Sequence, residues 1–166
     1  MSDTERQLRL RLSQLAPEGT ALPGFDDPEA RVASDRLLRD AVCAELVRLQ
    51  TKMEELMAAA DEEGEEDMRD DLQRIRDRME RTAGTLSAAG TPAGMSRADL
   101  TDSDRETLGL YDLRLLEDME LLSRDVMGMK YETIGTLTLR EVEGTLAAIE
   151  LKVVNRTDVL PTPGGN

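Results

Sequence analysis

From about residue 28 to residue 154, the apolar positions recur every three or four residues, the spacing that aligns side chains on one face of an α-helix. Leu38, Val42, Leu46, Leu49, Met53, Leu56 and Ala60 form the first stripe. Asp27 as a cap, Pro28 at the first helical position and Glu29 near the positive end of the dipole mark its start. Running to about residue 60, this helix would be about 49 Å long at 1.5 Å per residue. Met68, Leu72, Ile75, Met79 and Leu86 predict a second helix ending near Gly84, in register for antiparallel packing against Leu49 to Ala60.

A third helix is expected from Thr101 or Ser103, with Ser103 and Glu106 spaced as a capping box. Its main stripe is Leu108, Tyr111, Leu115, Met119, Leu122, Val126 and Met129; Leu110, Leu113, Leu116 and Leu121 add a second. Two stripes call for two covers, so this helix either sits between neighbours or meets a second copy of the chain. Thr133, Ile134, Gly135 and Thr136 weaken helix propensity and predict a turn or kink between residues 130 and 138. The last helix is read from a capping box at Thr138 and Glu141, a staple between Leu137 and Val142, and the stripe Leu139, Val142, Leu146, Ile149 and Val153. A β-hairpin pairing residues 133–137 with 151–154 is the competing reading of that segment.

The ends read differently. Leu8, Leu12 and Leu15 are spaced as a short amphipathic helix, although the alternation from Leu8 to Leu12 would also suit a strand. Pro17, Gly19, Pro23 and Gly24 break regular structure before Phe25. Residues 1–27 are therefore a docking arm and linker, expected to pack on the protein's own helices. Residues 28–88 form a helical hairpin, 89–102 a flexible connection containing Gly90, Pro92 and Gly94, and 103–154 a helical pair. Residues 155–166, with Pro161, Pro163, Gly164 and Gly165, are a disordered tail. The fold class is all-α: an elongated antiparallel helical bundle with a coiled-coil hairpin and an acidic tip.

Composition narrows the chemistry. Phe25, Tyr111 and Tyr131 are the only aromatic residues, so the core must be aliphatic, with nine Met as gap-fillers. The chain has no His and a single Cys, Cys43. Within this chain that excludes Ser-His-Asp and Cys-His catalysis, Cys/His zinc sites and Glu-x-x-His di-iron sites. A lone thiol beside Val42, Leu46 and Val47 reads as a buried, inert group in a reducing compartment, and cytoplasmic location is expected. No run of about 18 apolar residues is present, so no membrane span is expected. With a net charge of −14, the chain is not expected to bind nucleic acid directly. Arg69, Arg74, Arg76, Arg78 and Arg81 alternate with acids and read as a salt-bridged face.

Half of that charge sits in one place: residues 61–71 hold eight acids and one base. Asp61, Glu62, Glu63, Glu65, Glu66 and Asp67 surround Gly64 at the expected hairpin tip. A solvated turn accounts for such a run, and so does docking into a basic partner. Over about residues 45–82 the pattern resembles the acidic-tipped coiled-coil hairpins of transcription factors that enter the secondary channel of RNA polymerase. That resemblance implies tip carboxylates assisting a catalytic magnesium, although the second domain of such factors has no counterpart here. Glu62-Glu63-x-x-Glu66 is similar to the first half of the metal-binding signature of all-α nucleotide pyrophosphohydrolases, which implies Mg²⁺-dependent water activation. Gly64 interrupts that motif, and no Glu-x-x-Asp follows at a suitable distance.

These features predict a non-enzymatic interaction protein, an assembly factor, adaptor or scaffold, with no cofactor, no metal and no catalytic residue. It is expected to self-associate or to bind a helical protein partner through Leu108, Tyr111, Leu115, Met119, Leu122, Leu139, Val142, Leu146, Ile149 and Val153. The alternative is a regulator whose acidic tip enters a basic or metal-containing cleft of a nucleic-acid-processing enzyme. A pyrophosphohydrolase is the third reading.

Overall fold

The computed structural model describes residues 2–18, 20 and 23–160, the side chain of Ala93 excepted. Among these there is no strand, and the fold is all-α. The helices are α1 (Asp3–Leu15), α2 (Pro28–Glu63), α3 (Glu66–Ala88), α4 (Asp102–Met127) and α5 (Thr136–Asn155). Single 3₁₀ turns lie at Ala93–Ser96, Tyr131–Thr133 and Arg156–Asp158. The β-hairpin reading of residues 133–154 is thereby overturned, since Thr136–Asn155 is one continuous helix.

Side-chain bonds fix how the helices run. On α2 and α3, Glu54 pairs with Arg76, Cys43 lies against the Ala83 carbonyl, and Arg39 reaches that of Ala89, so the two are antiparallel. Arg74 pairs with Glu143 and Arg78 with Glu150, which sets α5 parallel to α3. The Tyr111 hydroxyl donates to the Lys152 carbonyl at 2.8 Å; Lys152 pairs with Asp118 while Arg156, just past the end of α5, pairs with Asp112, so α4 is antiparallel to α5. Arg48 on α2 donates to Ser123 on α4. Each of α2 to α5 thus packs against two of the others, and α1 lies along α4 and touches α2.

Local chemistry explains most boundaries. The Asp27 side chain accepts from the Ala30 N–H at 2.8 Å, with Pro28 directly inside the helix, as expected. Gly64 ends α2 at φ +74°, a left-handed conformation that a Cβ would disfavour. Helix α4 is capped at Thr101, two residues before Ser103, where Thr101 and Asp104 form the reciprocal capping box. No capping box forms at Thr138; α5 begins at Thr136 behind Gly135, which has no side chain to cap with. Helix α3 runs through Gly84 to Ala88.

The core is a single aliphatic cluster drawn from all five helices. Met95, Leu100, Leu108 and Leu160 form a second, smaller one at the end where α2 and α4 begin. The C-terminal residues as far as Leu160 are therefore part of the fold and not a free tail; residues 161–166 lie outside the described residues.

Candidate interaction surfaces

The ten residues expected to hold a second molecule are placed by the fold inside the first one. Leu115, Met119, Leu122, Val142, Leu146 and Ile149 are fully buried, and Leu108, Leu139 and Val153 are only 4% exposed. Tyr111 is half-buried and bonded to Lys152. These seams close on one another because α4 faces α2 and α5, while α5 faces α3 and α4. The second stripe divides: Leu113 and Leu116 are buried, whereas Leu110 and Leu121 stay partly exposed. As an external interface the predicted set is therefore corrected to an intramolecular core.

The acidic turn is exposed from Asp61 through Asp67. Asp61 pairs with Arg69 at 2.9 Å. Tyr131, from the turn joining α4 to α5, lies close by: burial first, then the Glu65 and Glu63 carboxylates, push its phenol up. No group of three acids or thiols disposed to hold a metal ion occurs among the described residues.

A different surface carries the residual apolar area. Leu137, Leu151 and Val154 are 71%, 63% and 61% exposed, and all three lie on the outward side of α5. Gly144 and Ala147 are exposed between them, and a Cβ built on Gly144 would meet only open space. The positions 137, 140, 144, 147, 151 and 154 step by three and four, a heptad stripe in which Arg140 is the only charge. Exposed large apolar side chains sharing one helical stripe on so charged a surface make this side of α5 a candidate docking face.

At the end where α2 starts, the fold buries a polar cluster absent from the expected set. Arg156 is 3% exposed and forks onto Asp112 at 2.8 and 3.0 Å; it also pairs with Asp35. Asp35 further accepts from Arg39 at 3.0 Å and Thr91 at 2.9 Å. Burial alone would lower the Arg156 pKa, but Asp112 and then Asp35 outweigh it and raise it. Beside this cluster, buried Arg31 donates to the carbonyls of Met95, Phe25, Asp26 and Arg97, tying the linker to the turn before α4. Its pKa is lowered by burial and by Arg105.

A signal for these residues was present. Asp35 precedes Leu38 by three, Asp112 lies four past Leu108 and three before Leu115, and Arg156 follows Val153 by three, so each continues a core stripe. Following apolar residues alone passes over them and selects Tyr111 in place of Asp112.

A cavity of about 620 Å³ between α1, Phe25 and the start of α4 has several wall groups that are paired with protein neighbours. Thr4 donates to Glu106, Arg9 to Glu5 and Arg105 to Asp102, so its groups do not converge on a ligand. Burial, then Asp40, raises the Cys43 thiol, with Arg39 opposing, so it is a poor nucleophile near neutral pH. No helix among the described residues is long and apolar enough to cross a membrane. No protein-family model, curated protein or solved structure matches the chain.

Proposed function

We propose that this chain is a non-enzymatic acidic interaction protein, an assembly factor, adaptor or scaffold, working without a cofactor in the cytoplasm. In this reading α2 to α5 act as an elongated antiparallel bundle with a coiled-coil hairpin and acidic tip. The docking surface is the outward face of α5, which takes an apolar helix face from a protein partner or from another copy of the chain. The observation that carries the reading is the exposure of Leu137, Leu151 and Val154 along one heptad stripe. Such a face is stabilised by removal from water at about 25 cal/mol per Å² of apolar area.

Sedimentation equilibrium tests the self-association branch. The wild-type chain is expected above its monomer mass of 18.4 kDa, and Leu151→Asp at that mass with an unchanged helical spectrum. Association that persists in Leu151→Asp refutes the assignment of this face.

A second reading is supported by the exposed carboxylates of Glu62, Glu63, Glu65, Glu66 and Asp67, which make no ion pair within the described residues. They would dock into a basic or metal-containing cleft of a nucleic-acid-processing enzyme. Reversing Glu62, Glu63, Glu65 and Glu66 to Lys leaves association through α5 intact in the first reading and abolishes binding to such a cleft in the second.

A further inference from the structure

We infer that the face of α4 beneath α1 is a second docking groove, that α1 is its built-in occupant, and that the partner it fits is a basic amphipathic helix of another protein. No residue of α5 takes part.

Helix α1 lies parallel to α4: Thr4 donates to Glu106 near the start of both, and further along Arg11 pairs with Glu117 at 3.3 Å and with Glu120. Glu106, Gly109, Leu113, Glu117 and Glu120 step by three and four, so they share the side of α4 turned to α1. A Cβ on Gly109 would fall 3.1 Å from Thr4 Cγ2, so the bare backbone there lets α1 settle close. Leu8 and Leu12, one turn apart, are the large apolar side chains that α1 buries. Charge matches this seat. Alone among the five helices, α1 has more bases than acids, three Arg against Asp3 and Glu5. It sits on the helix with the largest acidic excess, eight acids against three Arg.

Several features make α1 a removable occupant. Its 13 residues are too few for a stable helix in isolation, so its helicity depends on the seat. The ion pairs of Arg11 with Glu117 and Glu120 are partly exposed, so water and salt screen them. Arg9 Nε on α1 and Glu120 Oε1 beneath Arg11 are buried without a hydrogen-bond partner among the described residues, so docking leaves their lost hydration uncompensated. Beyond Thr4 the seat is underfilled. The cavity of about 620 Å³ lies there, with Asp26, Asp102, Glu106 and the Phe25 ring among its walls. A long cationic side chain in place of Thr4 would reach toward those carboxylates and that ring. The seat therefore favours a helix with Lys or Arg four residues before the first of two Leu spaced by four, and Arg directly before the second.

Lifting α1 leaves the other contacts in place. Ser34 donates to the carbonyls of Pro23 and Gly24, and Arg31 to those of Phe25 and Asp26, so the end of the linker stays on α2. Helices α2 to α5 each keep two neighbours. A partner helix enters by competing with α1, and its apparent affinity is reduced by the fraction of time that the groove is open.

The test uses the full chain and, as probe, a fluorescent peptide of residues 2–16 bearing Thr4→Lys. In anisotropy titrations the peptide should bind a chain carrying Leu8→Asp and Leu12→Asp, whose own arm no longer seats, about tenfold more tightly than the wild type, or better. Adding Glu117→Arg and Glu120→Arg should abolish that binding. In the wild type, α1 amides should exchange with solvent about 100-fold faster than the core amides of α2 to α5, and Thr4→Lys in the full chain should slow them. No binding to the arm-lifted chain, equal affinity for the wild type, indifference to charge reversal, or α1 amides as protected as the core would each overturn the groove. So would an arm-lifted chain that unfolds, because α1 is then integral to the core. Faster α1 exchange in Thr4→Lys overturns the cationic side chain at that position. Wild-type self-association that disappears when the arm is lifted puts α1 of a second copy in the groove and overturns a separate partner.

Discussion

Replacing Arg156 by Met keeps much of the volume of the side chain and removes its charge, which isolates what the guanidinium does. Among the described residues it supplies the only cation bonded to Asp112 and one of two bonded to Asp35. After the change Asp112 remains 2% exposed with no counter-charge, while Asp35 keeps Arg39 and Thr91. Breaking a buried ion pair from one side costs about 3–5 kcal/mol, because the stranded charge keeps its desolvation penalty. For a chain of this length each kcal/mol moves the melting temperature by about 2–4 °C, so a drop of about 6–20 °C is expected by circular dichroism at 222 nm. The double variant Asp112→Asn with Arg156→Met should melt higher than Arg156→Met alone, with a coupling of about 1–3 kcal/mol, because no charge is then stranded. An Arg156→Met chain melting within about 2 °C of the wild type would show that the guanidinium is not sequestered between the two carboxylates.

Leu115→Asp and Leu146→Asp should unfold the monomer itself, with loss of the 222 nm signal at physiological temperature, since both positions are fully buried. Retained helicity with loss of association alone would contradict their placement. Gly94→Ala should cost about 1–3 kcal/mol, because its Cβ would fall 2.9 Å from Leu160 Cβ and 2.5 Å from Leu160 Cδ1; adding Leu160→Ala should be less than additive in urea melts. Glu45 is held below the usual carboxylate range by its hydrogen bonds from Arg48, with burial opposing and Ser123 assisting. Its folded pKa is depressed, so its contribution is complete above the unfolded value of about 4.3 and is lost as pH falls through the folded value. The stability gap between wild type and Glu45→Gln should therefore be constant near neutrality and close in acid; a gap that widens in acid would reverse the assignment.

Periodicity located the four long helices and left the first segment open between helix and strand, because an aliphatic stripe is the same signal whether it faces another helix of the chain or another molecule. That sameness is also where sequence reasoning stopped. The stripes Leu108 to Met129 and Leu139 to Val153 give no sign of which surface covers them, and the structure covers both from within. Leu137 reads as a staple, and Leu151 and Val154 only as part of a strand, since their common stripe is interrupted by Arg140 and padded by Gly144 and Ala147. The start of α4 fell on one of its two expected residues, Thr101, but with Asp104 and not Glu106 closing the capping box, and the start of α5 was missed where a glycine begins a helix without a cap. The C-terminal residues looked disordered from their Pro and Gly content, yet Arg156 and Leu160 each continue a buried pattern that composition averages away.

The same chain thus places polar residues on apolar registers at one end and apolar residues on a solvent register along α5, and the two departures have different physical meanings. Asp35, Asp112 and Arg156 are joined through the Arg156 guanidinium, with Arg39 and Thr91 also donating to Asp35, so their burial is self-consistent. Leu137, Leu151 and Val154 find no such closure, because the side of α5 facing α3 and α4 already satisfies the core. In the proposed reading, the outward face of α5 is therefore where a second surface adds to the fold.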